Sequence, residues 1–333
     1  MDNKDLWSRY ENHCRQQGLT KSRINKLKTM FNMVARGISS PLGEADEDDI
    51  RDFVNRMHHD EFVKQRGGDP YSGSTKSDAK KFLKQFYKWK DGERGQYPDK
   101  VAWLSTKIPN DEKPEEKRVI SQEECHKLAQ SFSDNELYRA TIYILFDSGF
   151  RISEYQSVKK HHLTKEEYER DDDCWWIECR ESKTRTRKIP IPLFTNEINN
   201  FVESGYYKAL DDGDKLFQKS YRSFLKALKR HSENVFNERI TPHNLRHSSA
   251  TLYADLLDGD LYSLCDRYGW DYASDTPKTY IRKSGTRQKK TATKVVNNKL
   301  SETNKRVDEL EEENKELKDR LDKLEELMDR VAG

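Results

Sequence analysis

The chain has 333 residues, of which 33% are apolar and 36% charged, a surface-rich balance that suits several modest domains better than one large core. No stretch approaches the roughly eighteen consecutive apolar residues of a membrane-spanning helix. The opening MDNKDLWSRYENH has no apolar signal-peptide core, which points to a cytoplasmic protein. The net charge of +2 hides an asymmetry: taking the seven basic and twelve acidic residues of 300–333 from totals of 61 and 59 leaves 54 and 47, a net of +7 before residue 300. A basic body suits a polyanionic partner.

The first hundred residues read as helices. Ile24, Leu27, Phe31 and Val34 recur at helical spacing. Asp46 or Asp48 caps a second helix carrying Ile50, Phe53, Val54 and Met57. A third begins near Thr75 and presents Phe82, Leu83, Phe86, Tyr87 and Trp89, while its other face carries Lys76, Lys80, Lys81 and Lys84, either solvated or touching DNA phosphates. The charged, proline-containing IPNDEKPEEKR (108–118) reads as a linker.

Beyond it the chain is mixed. YRATIYILFDSG reads as a buried helix stopped by Gly149, and CWWIECR and RKIPI as two short strands around a polar turn. A second helical series runs from about Phe194 to Tyr280. The prediction is a mostly α fold with a small antiparallel β-sheet. Five cysteines (Cys14, Cys125, Cys174, Cys179 and Cys265) have no framework spacing and read as reduced thiols. Cys174 and Cys179 lack local partners for a zinc site, so no metal is expected.

From Val307 the character changes. Val307, Leu310, Asn314, Leu317, Leu321, Leu324, Met328 and Val331 follow alternating steps of three and four, flanked by charged residues. This predicts a coiled coil over 300–331, with Asn314 favouring a parallel, two-stranded register. The connector IRKSGTRQKKTATK has six basic residues and no acidic ones.

Four separated segments carry groups that handle phosphates: GFRISE (149–154), ESKTRTRKIPI (181–191), TPHNLRH (241–247) and GWDYASDTPKTYIR (269–282). Each is weak alone; their order and spacing make the case. In these segments the chain resembles the tyrosine recombinases, the family of phage lambda integrase, Cre and XerC/XerD. Arg151 in G-F-R-I-S-E matches the family's first arginine, with Glu154 supporting it. His243 and Arg246 match the H-x-L-R-H box, and Lys183 matches the hairpin lysine. Tyr280, ten residues after Trp270, matches the nucleophile. Trp270 stands where most members have histidine. His247 is taken as structural. The resemblance implies a helical core-binding domain (1–107), a linker (108–118) and an α+β catalytic domain (119–290); the coiled coil has no counterpart in it.

That chemistry suits these residue types. Phosphoryl transfer spreads extra negative charge over nonbridging oxygens, which arginine forks such as Arg151 and Arg246 match bidentately at any working pH. A phenol such as Tyr280 starts near pKa 10 and needs a base, for which His243 is the candidate. Lys183 can protonate the leaving 5′-oxygen. Arg185 and Arg187, on the same hairpin, are candidate DNA contacts. A phosphotyrosine conserves bond energy, so no cofactor is required, and the sequence has no Walker-type glycine loop.

The resemblance implies a recombinase acting in integration or excision of a mobile element. The alternatives are a Xer-like resolvase of chromosome or plasmid dimers and a non-catalytic DNA-binding factor derived from a recombinase; a type IB topoisomerase fits the motif order less well. The partners implied are double-stranded DNA and further copies of the chain, four on DNA, with a coiled-coil dimer in solution.

Overall fold

The computed structural model describes residues 2–109, 112, 118–166, 174–182 and 185–285. The segment 300–331, predicted as a coiled coil, lies outside them, as does most of 108–118. The chain divides into two compact units, Met1–Glu116 and Lys117–Gly333.

The first unit is all helical: α1 (Asn3–Gln16), α2 (Lys21–Gly37), α3 (Glu47–His58), α4 (Gly73–Asp91) and the single turn α5 (Asp99–Ala102). The apolar periodicity of α2 and α4 is the reason for their pairing. Leu27, Phe31 and Val34 meet a core that includes Phe82, Leu83, Phe86 and Tyr87, all buried. Each such side chain contributes about 1.5–3 kcal/mol on leaving water. Asp46, rather than Asp48, caps α3, in a reciprocal capping box with Asp49. Helix α4 starts two residues before Thr75 because Ser72 accepts a hydrogen bond from the Thr75 amide and so sets the first turn at Gly73.

The second unit wraps α6 (Gln122–Gln130), α9 (Thr195–Val202) and α12 (Pro242–Leu256) around a central helix, α7 (Glu136–Ser148). Around these lie α8 (Ile152–Tyr155), α10 (Gly205–Lys208), α11 (Tyr221–Phe236), α13 (Leu261–Tyr268) and α14 (Thr276–Ser284). Its sheet is antiparallel in the order β1 (Leu163–Glu166), β2 (Cys174–Cys179), β3 (Arg187–Pro190). Ile177 sits opposite both Leu163 and Ile189 and is fully buried. The sequence pattern predicts β2 and β3 but not β1, whose LTKE has a single buried apolar residue, Leu163, and no alternation to reveal it. Among the described residues no helix is long and apolar enough to cross a membrane.

Helix α7 is buried on nearly every side, and its last turn is anchored to three other parts of the unit. Asp147, fully buried, accepts from Tyr253 Oη at 2.5 Å, Leu193 N at 2.7 Å and Arg267 Nη2 at 3.0 Å, tying α7 to α12, to α13 and to the loop after β3. Gly149 then turns the chain at φ +61°. A β-carbon there would lie 2.1 Å from the Tyr268 ring. Strain in the left-handed region and the clash act together. We expect Gly149→Ala to cost about 2–4 kcal/mol of unfolding free energy in urea denaturation, an estimate from those two effects. Gly213→Ala, where no atom lies within 4 Å, serves as the control and should change little. Equal effects at the two positions would show that the Tyr268 contact carries no weight.

Candidate active site

The Gly149 turn delivers Arg151 to the N-terminus of α8, one turn before Glu154. The Glu154 side chain is 2% exposed and is surrounded by donors. Its Oε1 accepts from Arg151 Nη1 at 2.7 Å and Ser182 Oγ at 2.8 Å; its Oε2 accepts from the Arg151 amide at 2.9 Å and Arg187 Nη2 at 2.8 Å. Arg246 Nη1 lies 3.9 Å from the same Oε2. Burial alone would raise the carboxyl pKa. The Arg187 ion pair and the hydrogen bonds from the Arg151 amide and Ser182 outweigh it and hold Glu154 at about 2.

Arg246 comes from α12, which Thr241 starts with a capping box to Asn244 and Pro242 at its first position. Its two terminal nitrogens donate to backbone carbonyls, Nη1 to Gly149 at 2.5 Å and Nη2 to Tyr268 at 2.9 Å. The guanidinium is thus fixed by the α7 turn on one side and the end of α13 on the other. Burial, then the like charge of Arg151, lowers its pKa to about 10, so it stays protonated at neutral pH.

Three aromatic rings stack beside it. Tyr268 lies 4.7 Å from Trp270 at 18°, and Trp270 lies 5.1 Å from Tyr280 at 9°. The Arg246 guanidinium is 5.3 Å and 5.5 Å from the first two rings. Tyr280, half-buried on α14, has its hydroxyl 3.2 Å from His247 Nδ1. Burial raises the phenol pKa and the charge of Arg246 opposes the rise. The other tyrosines nearby are engaged elsewhere: Tyr268 is fully buried with its hydroxyl 2.6 Å from Ser249, and the exposed Tyr272 donates to Asp266 at 2.6 Å.

The fold therefore brings Arg151, Glu154, Arg246, Trp270 and Tyr280 into one neighbourhood of the second unit. His243 is exposed on the first turn of α12, one turn before His247. His247, read from the sequence as structural, is the residue whose hydrogen bond to Tyr280 is seen; the signal for it was its spacing, four residues after His243 and one after Arg246 on a single helix. Lys183 lies outside the described residues.

The basic residues expected to touch DNA are mostly engaged within the protein. Arg187 is 9% exposed and pairs with Glu154. Arg185 is held by Asp266 at 2.7 Å and by the Tyr272 hydroxyl at 3.1 Å. In the first unit, the picture of an open lysine face on α4 needs correction. Lys76 is 4% exposed, between Asp60 at 2.9 Å and Glu112 at 3.1 Å. Lys80 is 5% exposed and meets His58 Nε2 at 3.3 Å, and burial lowers its pKa. Lys84 donates to the carbonyls of Ala102 and Leu104. Lys81 is the exposed member of the four. Among the described residues no group of three or more His, Cys, Asp and Glu is placed to hold a metal, and all five cysteines are buried and free.

The ionised form of Glu154 is what its partners stabilise, so its contribution to folding is fully present above its ordinary pKa of 4.5 and is lost as pH falls toward 2. That difference corresponds to about 3 kcal/mol. We expect urea unfolding at pH 6 to show Glu154→Gln less stable than the parent by about that amount, with the gap narrowing steadily between pH 4.5 and 2. A gap independent of pH would mean the arginines do not hold this carboxylate.

The profile of the phage integrase family matches residues 118–287, just over half of the chain. No curated protein sequence is significantly similar. Solved structures share the fold at low identity. A lambda integrase tetramer bound to a Holliday junction is 16% identical with a TM-score of 0.61, over 83% of this chain and 76% of that one. XerH recombinase bound to palindromic difH, in a post-cleavage complex, is 19% identical with a TM-score of 0.59, over 86% and 84%. The Tn1549 transposon integrase with circular-intermediate DNA is 15% identical with a TM-score of 0.57, over 84% and 95%. The family match, on top of the arginine cluster and its stacked tyrosine, places this chain in the phage integrase family, the tyrosine recombinases, which cleave and rejoin DNA through a phosphotyrosine intermediate.

Proposed function

We propose that Tyr280 is the nucleophile of a site-specific recombinase that integrates or excises a mobile element. The observation that carries this reading is the placement of the Tyr280 hydroxyl on His247, on the same helix as the buried Arg246 that accompanies Arg151 and Arg187 around Glu154. Tyr280 Oη bonds to phosphorus as the bond from phosphorus to the 5′-oxygen breaks. His247 takes the phenolic proton, and Lys183 supplies one to the leaving oxygen. One end then carries a 3′-phosphotyrosine and the other a free 5′-hydroxyl. Attack by a 5′-hydroxyl from the second duplex reverses each change, so no ATP is consumed. Arg151 and Arg246 hold the nonbridging oxygens, each contributing about 3 kcal/mol to the transition state. His243 donates to the phosphate, and Lys81 is the member of the α4 set able to meet DNA. Such a substrate places the protein in the compartment that holds the DNA. A dimer resolvase would use the same chemistry on a different site.

Exchange between two duplexes requires four cuts, hence four protomers. The heptads of 300–331 would pair them: we expect the full chain to be dimeric and a chain ending at Asn297 to be monomeric by light scattering without DNA. Two monomers at high concentration would remove that pairing role.

For the chemistry, incubate the chain with host or donor DNA, quench in denaturant and sequence any DNA retained on the protein. We expect retained DNA that disappears with Tyr280→Phe, and adduct formation slowed about 10²-fold by His247→Ala, the low end for loss of a general base. Retention unchanged in Tyr280→Phe would overturn the nucleophile, and slowing by His243→Ala alone would move the base to His243. No retained DNA from a parent chain that binds it would favour a DNA-binding factor. The sequences recovered separate a mobile element's ends from a chromosomal dimer-resolution site.

A further inference from the structure

Arg187 sits in the same cluster yet is placed differently from Arg151 and Arg246, the two arginines proposed to hold the phosphate. It comes from the sheet, at the first position of β3, and only 5% of its side chain is exposed. One side of its guanidinium donates from Nη2 to Glu154 Oε2 at 2.8 Å; the other donates from Nε to the Arg267 carbonyl at 2.9 Å. Its plane lies over the Phe150 ring, 4.7 Å from the centroid. Arg267 is itself fixed by Asp147 and by the Pro190 carbonyl at 3.0 Å. A continuous line therefore runs from the core of α7 through Arg267 and Arg187 to Glu154 and so to Arg151.

The burial carries two penalties that the pairing with Glu154 has to offset. Arg187 Nη1 is buried with no hydrogen-bond partner among the described residues. The guanidinium also lies near enough to Arg246 to disfavour its charge. An apolar side chain at this sheet position would avoid both penalties. What it could not do is fill the fourth donor position on Glu154. That carboxylate has two oxygens to share among Arg151 Nη1, the Arg151 amide, Ser182 and Arg187. Without Arg187, Oε2 keeps the Arg151 amide and gains freedom to rotate toward Arg246, 3.9 Å away. Arg151 then loses the fixed acceptor that orients its outer nitrogen. Arg151 is 31% exposed, so nothing else on the solvent side replaces that restraint among the contacts seen.

We propose that Arg187 is a positioning residue that locks the Glu154 carboxylate and through it aims Arg151 at the scissile phosphate. The proposal rests on the reading of this cluster as a phosphate site, and it assigns Arg187 to the interior of that site instead of to DNA contact.

The test is a double-variant cycle on the full chain with two readouts: affinity for inorganic sulfate by calorimetry, and the rate of adduct formation on the DNA recovered by the covalent trap. The variants are Arg187→Gln, Arg187→Lys, Arg151→Ala and each pair with Arg151→Ala, all checked by thermal melting. Arg187→Gln should weaken sulfate and slow the adduct about tenfold, a little over 1 kcal/mol. Arg187→Lys, which keeps the charge and loses the two-sided fork, should fall between it and the parent. In the Arg151→Ala background neither change should add more than about twofold, because the residue through which Arg187 acts is already gone. Equal losses in both backgrounds, or none in either, would overturn the assignment. So would failure of both Arg187 variants to fold, which would make Arg187 a folding residue. A parent that binds no sulfate and forms no adduct would instead defeat the phosphate-site reading itself.

Discussion

Everything at this site depends on one buried carboxylate. Three guanidinium groups crowded together in a low-dielectric pocket repel one another, and the fold tolerates them because Glu154 sits among them, 2.7 Å from Arg151, 2.8 Å from Arg187 and 3.9 Å from Arg246. The carboxylate in turn tolerates burial only because it is fully engaged, with four hydrogen bonds on its two oxygens. Neither half is stable without the other. The pair is a device for holding positive charge in a fixed place, where it can act on a substrate without reorganising when the reaction begins.

Fixed charge needs a fixed frame, and here the frame is mostly backbone. Arg246 binds the carbonyls of Gly149 and Tyr268, and Arg267 binds those of Asp147 and Pro190. These carbonyls belong to the end of α7, the end of α13 and the end of β3, so each arginine staples two chain segments that are distant in sequence. Gly149 is the joint on which this converges: it ends α7, gives its carbonyl to Arg246 and makes room for the ring of Tyr268. Tyr268 then begins the aromatic stack that ends on Tyr280. A single turn thus relates the position of the charge to that of Tyr280, the proposed nucleophile.

The parts legible in the sequence are those whose determinants are local. The apolar spacing of α2 and α4, an acidic cap for α3 at Asp46 or Asp48, the Gly149 stop and the two apolar strands each announce themselves within a dozen residues. So does G-F-R-I-S-E, because Arg151 and Glu154 are three residues apart. What was not legible involves partners far along the chain. Lys76 and Lys80 look like a solvated face until Glu112, 36 residues past Lys76, folds back against the first of them. Arg187 looks like one more hairpin cation until Glu154, 33 residues before it, is placed alongside. Local reading assigns a charge to water by default, and only tertiary structure supplies the buried counter-charge. His247 escaped for a related reason: in sequence it is merely a neighbour of Arg246, and its contact with Tyr280 appears only when α14 packs on α12.

The charge balance of the cluster also bears on which state it favours. Arg151, Arg187 and Arg246 against Glu154 leave two positive charges at neutral pH. A phosphodiester brings one negative charge; once a phenolate has added to it, the pentacoordinate species carries two. On the proposed mechanism, these three arginines and Glu154 carry one positive charge more than a bound diester needs and match the pentacoordinate species, which is the condition for accelerating the chemical step over merely tightening binding. Tyr280 fits the same logic. Burial raises its phenol pKa and the charge of Arg246 opposes the rise, with His247 at its hydroxyl. In the proposed mechanism, the second negative charge that the cluster would match is the one that deprotonation and attack by Tyr280 create.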